Sequence, residues 1–258
     1  MARIPAQVSR LLDDLAARLP GLLGSNLIGI YLYGSLTQAA FDPKRSDIDC
    51  IVVTERDLSE AQFRRLGAWL ALATKSNPWA ARLQISFLIR NEVLTMNSRS
   101  CLYQFGRLRR SRSDGNPIIW MNVLQSGEIL YGPGPASFVP PISFEILFQA
   151  LERELGYLRE EISEKPHSEW RDVAVYRAYA VLTLCRILYS FDNGTVVSKQ
   201  RAAKWAIKHL TDEWSPLIRQ ALESDAGKRL ARISLSGIRR FIDFTGARLH
   251  ADAPASRR

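Results

Sequence analysis

Residues 30–53, IYLYGSLTQAAFDPKRSDIDCIVV, limit what this chain can become more than any other stretch. Two apolar runs read as β-strands; Gly34-Ser35 ends the first, and Asp47 and Asp49 open the second on either side of Ile48. Side chains alternate along a strand, so both carboxylates share one face while Ile48 and Cys50 turn to the core. Two acids held together with no basic residue between them repel each other. The pair becomes favourable when a divalent cation lies against both. Mg²⁺ is the cation expected, being hard, oxygen-loving and usually shared with substrate phosphates. Gly34-Ser35 then supplies what a phosphate group wants: a close backbone approach, exposed N–H groups and a hydroxyl. Eleven residues separate Ser35 from Asp47. The competing explanation is structural, with the acids capping the turn between the strands.

The order of elements places this motif. Apolar periodicity and turn residues predict a helix over 5–19, strands over 27–33 and 48–54, a helix over 58–74 capped by Asp57 or Ser59, and a strand over 82–89. A helix over 117–126 and a short strand, EILYG, lead into a Pro-rich connector at 132–141. From Ser143 onward the pattern is helical, with helices expected over 143–164, 170–192, 198–210, 214–223 and 226–249. The expected architecture is an α/β (α+β) domain with a mixed sheet over 1–140, an all-α bundle over 141–250 and a disordered tail over 251–258.

A chain of 258 residues, 47% of them hydrophobic, can bury a real core. No apolar run reaches the roughly 18 residues of a membrane span, and Asp13-Asp14 interrupts any signal-peptide pattern. A cytoplasmic protein with no membrane partner is therefore expected, as a monomer or weak dimer. Cys50, Cys101 and Cys185 show neither disulfide nor zinc spacing and are read as buried thiols. The three histidines, His167, His209 and His250, are too scattered to form a ligand set. The net charge of +9 suits a polyanion, and much of the excess sits in RLRRSRSD (107–114). No aromatics interleave there as in a single-strand binding groove, and SRSDG (111–115) reads as a solvated turn. The tryptophans Trp69, Trp79, Trp120, Trp205 and Trp214 read as core rather than as an adenine platform. Asp172, Tyr176, Tyr179, Thr183 and Arg186, at spacings of four and three, form one stripe on the expected helix 170–192. That stripe would be about 21 Å long. Charged residues at both its ends suit a cleft better than a core.

At Gly34-Ser35 and Asp47-x-Asp49 the sequence resembles the polymerase-beta-type nucleotidyltransferases. Over nearly the whole chain, through YGSLTQAAFDPKRSDIDCIVV, QFG (104–106) and VLTLCRILYSFDNGTVVSKQRAAKWAIKHL (181–210), it resembles the aminoglycoside 3''-adenylyltransferases. The resemblance implies transfer of AMP from ATP to a hydroxyl of a small amino sugar, with Mg²⁺ on Asp47 and Asp49 and a helical C-terminal domain closing over the nucleotide. It implies phosphate contacts from Gly34, Ser35, Ser46, Arg186 and Lys199, and acceptor contacts at Asp172, Tyr176, Tyr179 and Leu108.

The chain departs from that family at its chemistry. The family's general base, a Glu on the strand after the acid pair, corresponds to Gln84, and an amide cannot take a proton. Losing a general base costs about 10²–10⁴ in rate. Three accounts stay open: an engineered Glu-to-Gln form, ranked first because the nucleotide site is otherwise intact; an enzyme using another base; or a nucleotide-binding protein without turnover. Leu108 stands where the family has a tryptophan, Tyr176 where it has an acid, and Asp225 where it has a phosphate-contacting tyrosine. Residues 143–172 still hold eight acids against four bases, which suits a cationic acceptor. An RNA- or tRNA-directed transferase or a toxin-system component is the alternative of another class.

Overall fold

The computed structural model describes residues 4–165, 168–227 and 233–251. His167, residues 228–232 of the expected last helix and the expected tail beyond Ala251 lie outside them; residues 226–227 form a turn, and that helix runs from Leu235 instead. The chain divides into two compact units, residues 1–141 and 142–258.

In the first unit, helix α1 (Ala6–Leu23) precedes strands β1 (Leu27–Tyr33) and β2 (Ile48–Thr54). Helix α2 (Glu60–Ser76) carries the chain across to β3 (Leu83–Ile89), parallel to β2. Ser59, not Asp57, caps α2: its hydroxyl accepts from Gln62 N while the Gln62 side chain accepts from Ser59 N. Asp57 instead accepts from the Leu58 N–H and pairs with Arg110. Strands β4 (Met96–Gln104) and β5 (Arg107–Asp114) follow as a hairpin, then α3 (Pro117–Ser126) and β6 (Glu128–Tyr131). The sheet is mixed, in the order β5-β4-β3-β2-β1-β6.

Its two faces are sorted by the alternation in the sequence. Ile30, Leu32, Ile48, Cys50, Val52, Leu83, Ile85, Cys101 and Tyr103 face the layer of α1 and α2, where they meet Leu11, Leu15, Leu66 and Leu70 in one core. On the other face, Tyr31 packs against Trp120 of α3 and Phe138, with ring centroids 6.2 and 5.8 Å away. Trp120 and Trp214 are core residues as expected, whereas Trp69, Trp79 and Trp205 are half-buried. All three cysteines are buried, and burial raises each thiol above its ordinary value, Cys101 to about 11.

The sequence-based expectations miss the β4–β5 hairpin. RLRRSRSD is a strand, so its SRSD portion is no turn. Arg110 explains part of its tolerance of charge: the guanidinium reaches Asp57 at 3.1 Å and Glu60 at 2.6 Å.

The second unit is helical: α4 (Phe144–Arg159), α5 (Glu169–Asp172), α6 (Ala174–Asn193), α7 (Lys199–His209), α8 (Ser215–Asp225) and α9 (Leu235–Ala251). A π-turn over Glu160–Glu164 extends α4. The expected helix 170–192 is two helices, because Val173 is extended at φ −98°, ψ 121°. No helix of the described residues is long and apolar enough to cross a membrane.

Candidate active site

Burial confirms the facing of the acid pair. Ile48 and Cys50 are buried, whereas Asp47 and Asp49 are half-exposed. Strand register sets the neighbours of Asp49: Tyr33 on β1 and Gln84 on β3. Pairing of Ile85 with Tyr103 sets Gln104 beside Gln84, and Gln104 pairs with Arg107. Tyr33, Asp49, Gln84, Gln104 and Arg107 thus form one row across β1 to β5, on the face away from α1 and α2.

Gly34 is required by geometry. Its φ is +81°, and a Cβ there would lie 2.4 Å from Asp49 Oδ2. The turn after β1 therefore runs directly beside the second carboxylate. The Gly34 N–H is not exposed, as the motif alone suggests; it donates to Asn122 Oδ1 over 2.9 Å. Asn122 is a buried residue of α3, 88 positions away in sequence. The turn continues through bonds from Gln38 N to Gly34 O (3.2 Å) and from Ala40 N to Ser35 O (3.0 Å).

The loop before the acids has its own fastening, and the residue that does the capping is Asp42. Its carboxylate accepts from Lys44 N and from Arg45, and the Arg45 hydrogen bond holds its acid below the usual carboxylate range. Ser46 closes the same loop: Oγ accepts from Asp42 N at 2.9 Å, which leaves its own O–H able to donate. Arg82 ties loop to sheet by donating to the carbonyls of Pro43 and Ser46, its guanidinium 4.6 Å above the Trp79 ring. Asp42, Ser46 and Arg82 thus shape the loop that leads into Asp47 and Asp49.

Gln84 Nε2 donates to Asp47 Oδ2 over 2.8 Å. The amide thus occupies one oxygen of the acid pair with a hydrogen-bond donor. Among the described residues no three His, Cys, Asp or Glu side chains gather, so a cation here would rest on two carboxylates. Two carboxylates on one half-exposed face, beside a glycine turn, are a donor set that fits Mg²⁺, which keeps waters and phosphate oxygens for its remaining positions.

Leu108 does not belong with these groups. It pairs with Tyr103 and packs into the α1–α2 core, on the opposite face of the sheet from Asp49 and Gln84. Register decides this: Leu108 neighbours Arg107, and adjacent strand residues point to opposite faces.

In the second unit, Tyr176, Tyr179 and Arg186 are half-buried along α6, with Thr183 buried among them. Asp172 ends α5 rather than opening the same helix, and its side chain lies outside the described ones. Lys199, the first residue of α7, sets its ammonium 4.0 Å from the centroid of Tyr179. No acid occupies that first turn. Trp170 lies against Tyr176 and Tyr179 at 5.7 and 5.3 Å. Asp225 accepts from Gln200 over 3.0 Å. His209 and His250 are exposed on α7 and α9.

Sequence reasoning passes over Asn122 and Arg82. Asn122 leaves one trace, a lone amide among Trp120, Met121, Val123 and Leu124. Arg82 leaves none.

Residues 137–247 match the family model described as "Aminoglycoside adenylyltransferase, C-terminal domain". An Aminoglycoside (3'') (9) adenylyltransferase of Escherichia coli is 25% identical over 89% of each chain. A Spectinomycin 9-adenylyltransferase of Campylobacter jejuni is 26% identical over 86% of each. Among solved structures, spectinomycin adenyltransferase AAD(9) from Enterococcus faecialis, determined with ATP and spectinomycin, superposes with a TM-score of 0.71. That match spans 96% of this chain and 100% of the other at 18% identity, and so speaks to the fold.

Proposed function

We propose that the chain is an aminoglycoside adenylyltransferase, transferring AMP from ATP to a hydroxyl of a small, aminoglycoside-like acceptor, with Asp47 and Asp49 as its metal-holding centre. The observation that carries this reading is the placement of both acids on one open sheet face, with Gly34 so close to Asp49 that no larger residue fits.

Each group then has a task in an in-line displacement at the α-phosphorus. When bound, Mg²⁺ would neutralise phosphate charge and stabilise the entering and leaving oxygens. Asp47 and Asp49 would hold it. Ser35, just after β1, and the O–H of Ser46, just before Asp47, donate to phosphate oxygens. In the helical unit, Arg186 and Lys199 are the cations proposed to contact phosphate oxygens, the Lys199 ammonium lying 4.0 Å from the Tyr179 ring centroid. Tyr176, Tyr179 and Asp172 remain the acceptor contacts proposed for that unit. Gln84 can orient the acceptor hydroxyl but cannot take its proton, so transfer by this sequence is slow unless another group serves as base.

One observation favours a second reading, a nucleotide-binding protein without turnover. The amide of Gln84 donates to Asp47, an interaction that a carboxylate at position 84 could not make and that needs no cation. The two readings separate when the chain and its Gln84→Glu variant are incubated with ATP, Mg²⁺ and a panel of aminoglycosides and aminocyclitols. Acceptor-dependent pyrophosphate release from the variant supports transfer. ATP binding without release by either protein supports the second reading.

A further inference from the structure

The β4–β5 hairpin turns through Phe105 and Gly106, with φ of +53° and +73°. Two left-handed residues in a two-residue turn make the hairpin geometry that Asn-Gly adopts without strain. Glycine suits the second position. Phenylalanine at the first is a backbone outlier for a bulky residue, and such strain persists where something other than folding keeps it. Burial does not compensate: Phe105 is 73% exposed, the most exposed large hydrophobic side chain among the described residues. The turn backbone lies against α2, where a Cβ on Gly106 would be 3.5 Å from Thr74, so the hairpin tip has support while the ring is left in solvent.

Its place in the sheet says what the ring could meet. Across the strand order, the Gly34-Ser35 turn follows β1, the carboxylates lie on β2 and its entry, Gln84 on β3, and Phe105 at the junction of β4 and β5. All five strands bring these residues to the same end of the sheet, since β1 and β4 end there while β2, β3 and β5 begin there. On the reading proposed above, on which this inference rests, phosphate and metal occupy the β1–β2 side. A nucleophile attacking in line then approaches from the opposite side, over β3 and beyond. With strands about 4.8 Å apart, the hairpin tip is one to two strand spacings from Gln84, about the breadth of one saturated six-membered ring.

We propose that Phe105 is an acceptor platform, taking the C–H face of the saturated, hydroxylated ring that carries the attacking hydroxyl. The electron-rich face of the phenyl ring attracts the weakly positive C–H bonds of such a ring. Arg107 pairs with Gln104 beside the turn, and Arg109 donates to the Gln104 side chain over 3.2 Å, both on the Gln84 face. Two guanidinium groups there disfavour ammonium groups on the part of the acceptor that lies over the hairpin. The acceptor's positive charges therefore point away from β5.

Phe105→Asn separates this role from a structural one, because the two predict changes of opposite sign. Asn fits the turn, so the melting temperature rises. If the ring is the platform, acceptor KM rises about tenfold with ATP KM unchanged, and Phe105→Trp restores it. The measurements are pyrophosphate release with spectinomycin, streptomycin and other hydroxylated amino sugars, in the native chain and in the Gln84→Glu background. Turnover with an unchanged acceptor KM in Phe105→Asn overturns the platform alone. No turnover of any acceptor by either background overturns both the platform and the transfer reading beneath it.

Discussion

Gln84 Nε2 and Asp47 Oδ2 are joined by a 2.8 Å hydrogen bond between neighbouring strands of the sheet. A carboxyl-to-amide difference at position 84 would therefore do two things. It would remove a proton acceptor, and it would replace repulsion at the acid pair with a bond. A glutamate in the same place would set two negative charges almost in contact. At about 4 Å such a pair costs on the order of 1 kcal/mol in bulk water and about 4 near a protein surface.

Gln84→Glu should consequently make stability depend on Mg²⁺. Without the cation the variant should melt several degrees below the native chain, at about 2–4 °C per kcal/mol for a protein of this size. Millimolar Mg²⁺ should recover most of the loss, while the native chain responds little. Thermal melts with Mg²⁺ and with EDTA measure both. An equal response in the two proteins would mean that position 84 does not report on the cation.

Gly34→Ala should disable the site while leaving the two cores in place. The added methyl would meet Asp49 Oδ2 at 2.4 Å, in a left-handed backbone that alanine adopts at a cost of about 1–3 kcal/mol. Asn122→Leu attacks the same turn from α3. It leaves the Gly34 N–H without its acceptor, at a cost of about 1–3 kcal/mol. Both variants should raise ATP KM more than acceptor KM. Nucleotide titration followed by calorimetry checks the order of the two effects.

The helical unit carries its own pH dependence. Glu161 is buried, and hydrogen bonds from Lys165 and Ser168 hold its carboxyl below the ordinary carboxylate range. A depressed folded value means that this stabilisation is complete above the unfolded value of about 4.3 and is lost as pH falls through the folded one. Melting temperature should fall below about pH 4.3, and Glu161→Gln should flatten that part of the profile. A variant profile as steep as the native one would assign the acid sensitivity elsewhere.

What the sequence makes legible is local. Ile48 and Cys50 alternate with Asp47 and Asp49, and that alternation alone sets the acid face. The glycine after β1 needs no distant information either, because a strand ending in Gly-Ser implies a close approach. Leu108 fails for the opposite reason. Its face depends on the register of a hairpin whose second strand has no apolar alternation, since Arg107, Arg109, Arg110 and Arg112 break every pattern. Asn122 acts across 88 positions, through one hydrogen bond. The break at Val173 escapes because no Gly or Pro marks it, and the apolar spacing runs through it unaltered. Where physical cause is spread over two strands or two distant elements, one-dimensional pattern carries little of it.

The most direct test of the acid pair as a transferase centre is acceptor-dependent pyrophosphate release by Gln84→Glu with ATP, Mg²⁺ and an aminoglycoside and aminocyclitol panel, repeated with Asp49→Asn added. The expected result is release with at least one acceptor, about 10²–10⁴ faster than by the native chain, and abolished when Asp49 is lost. Release that survives the loss of Asp49, or none with any acceptor while ATP still binds, would contradict it.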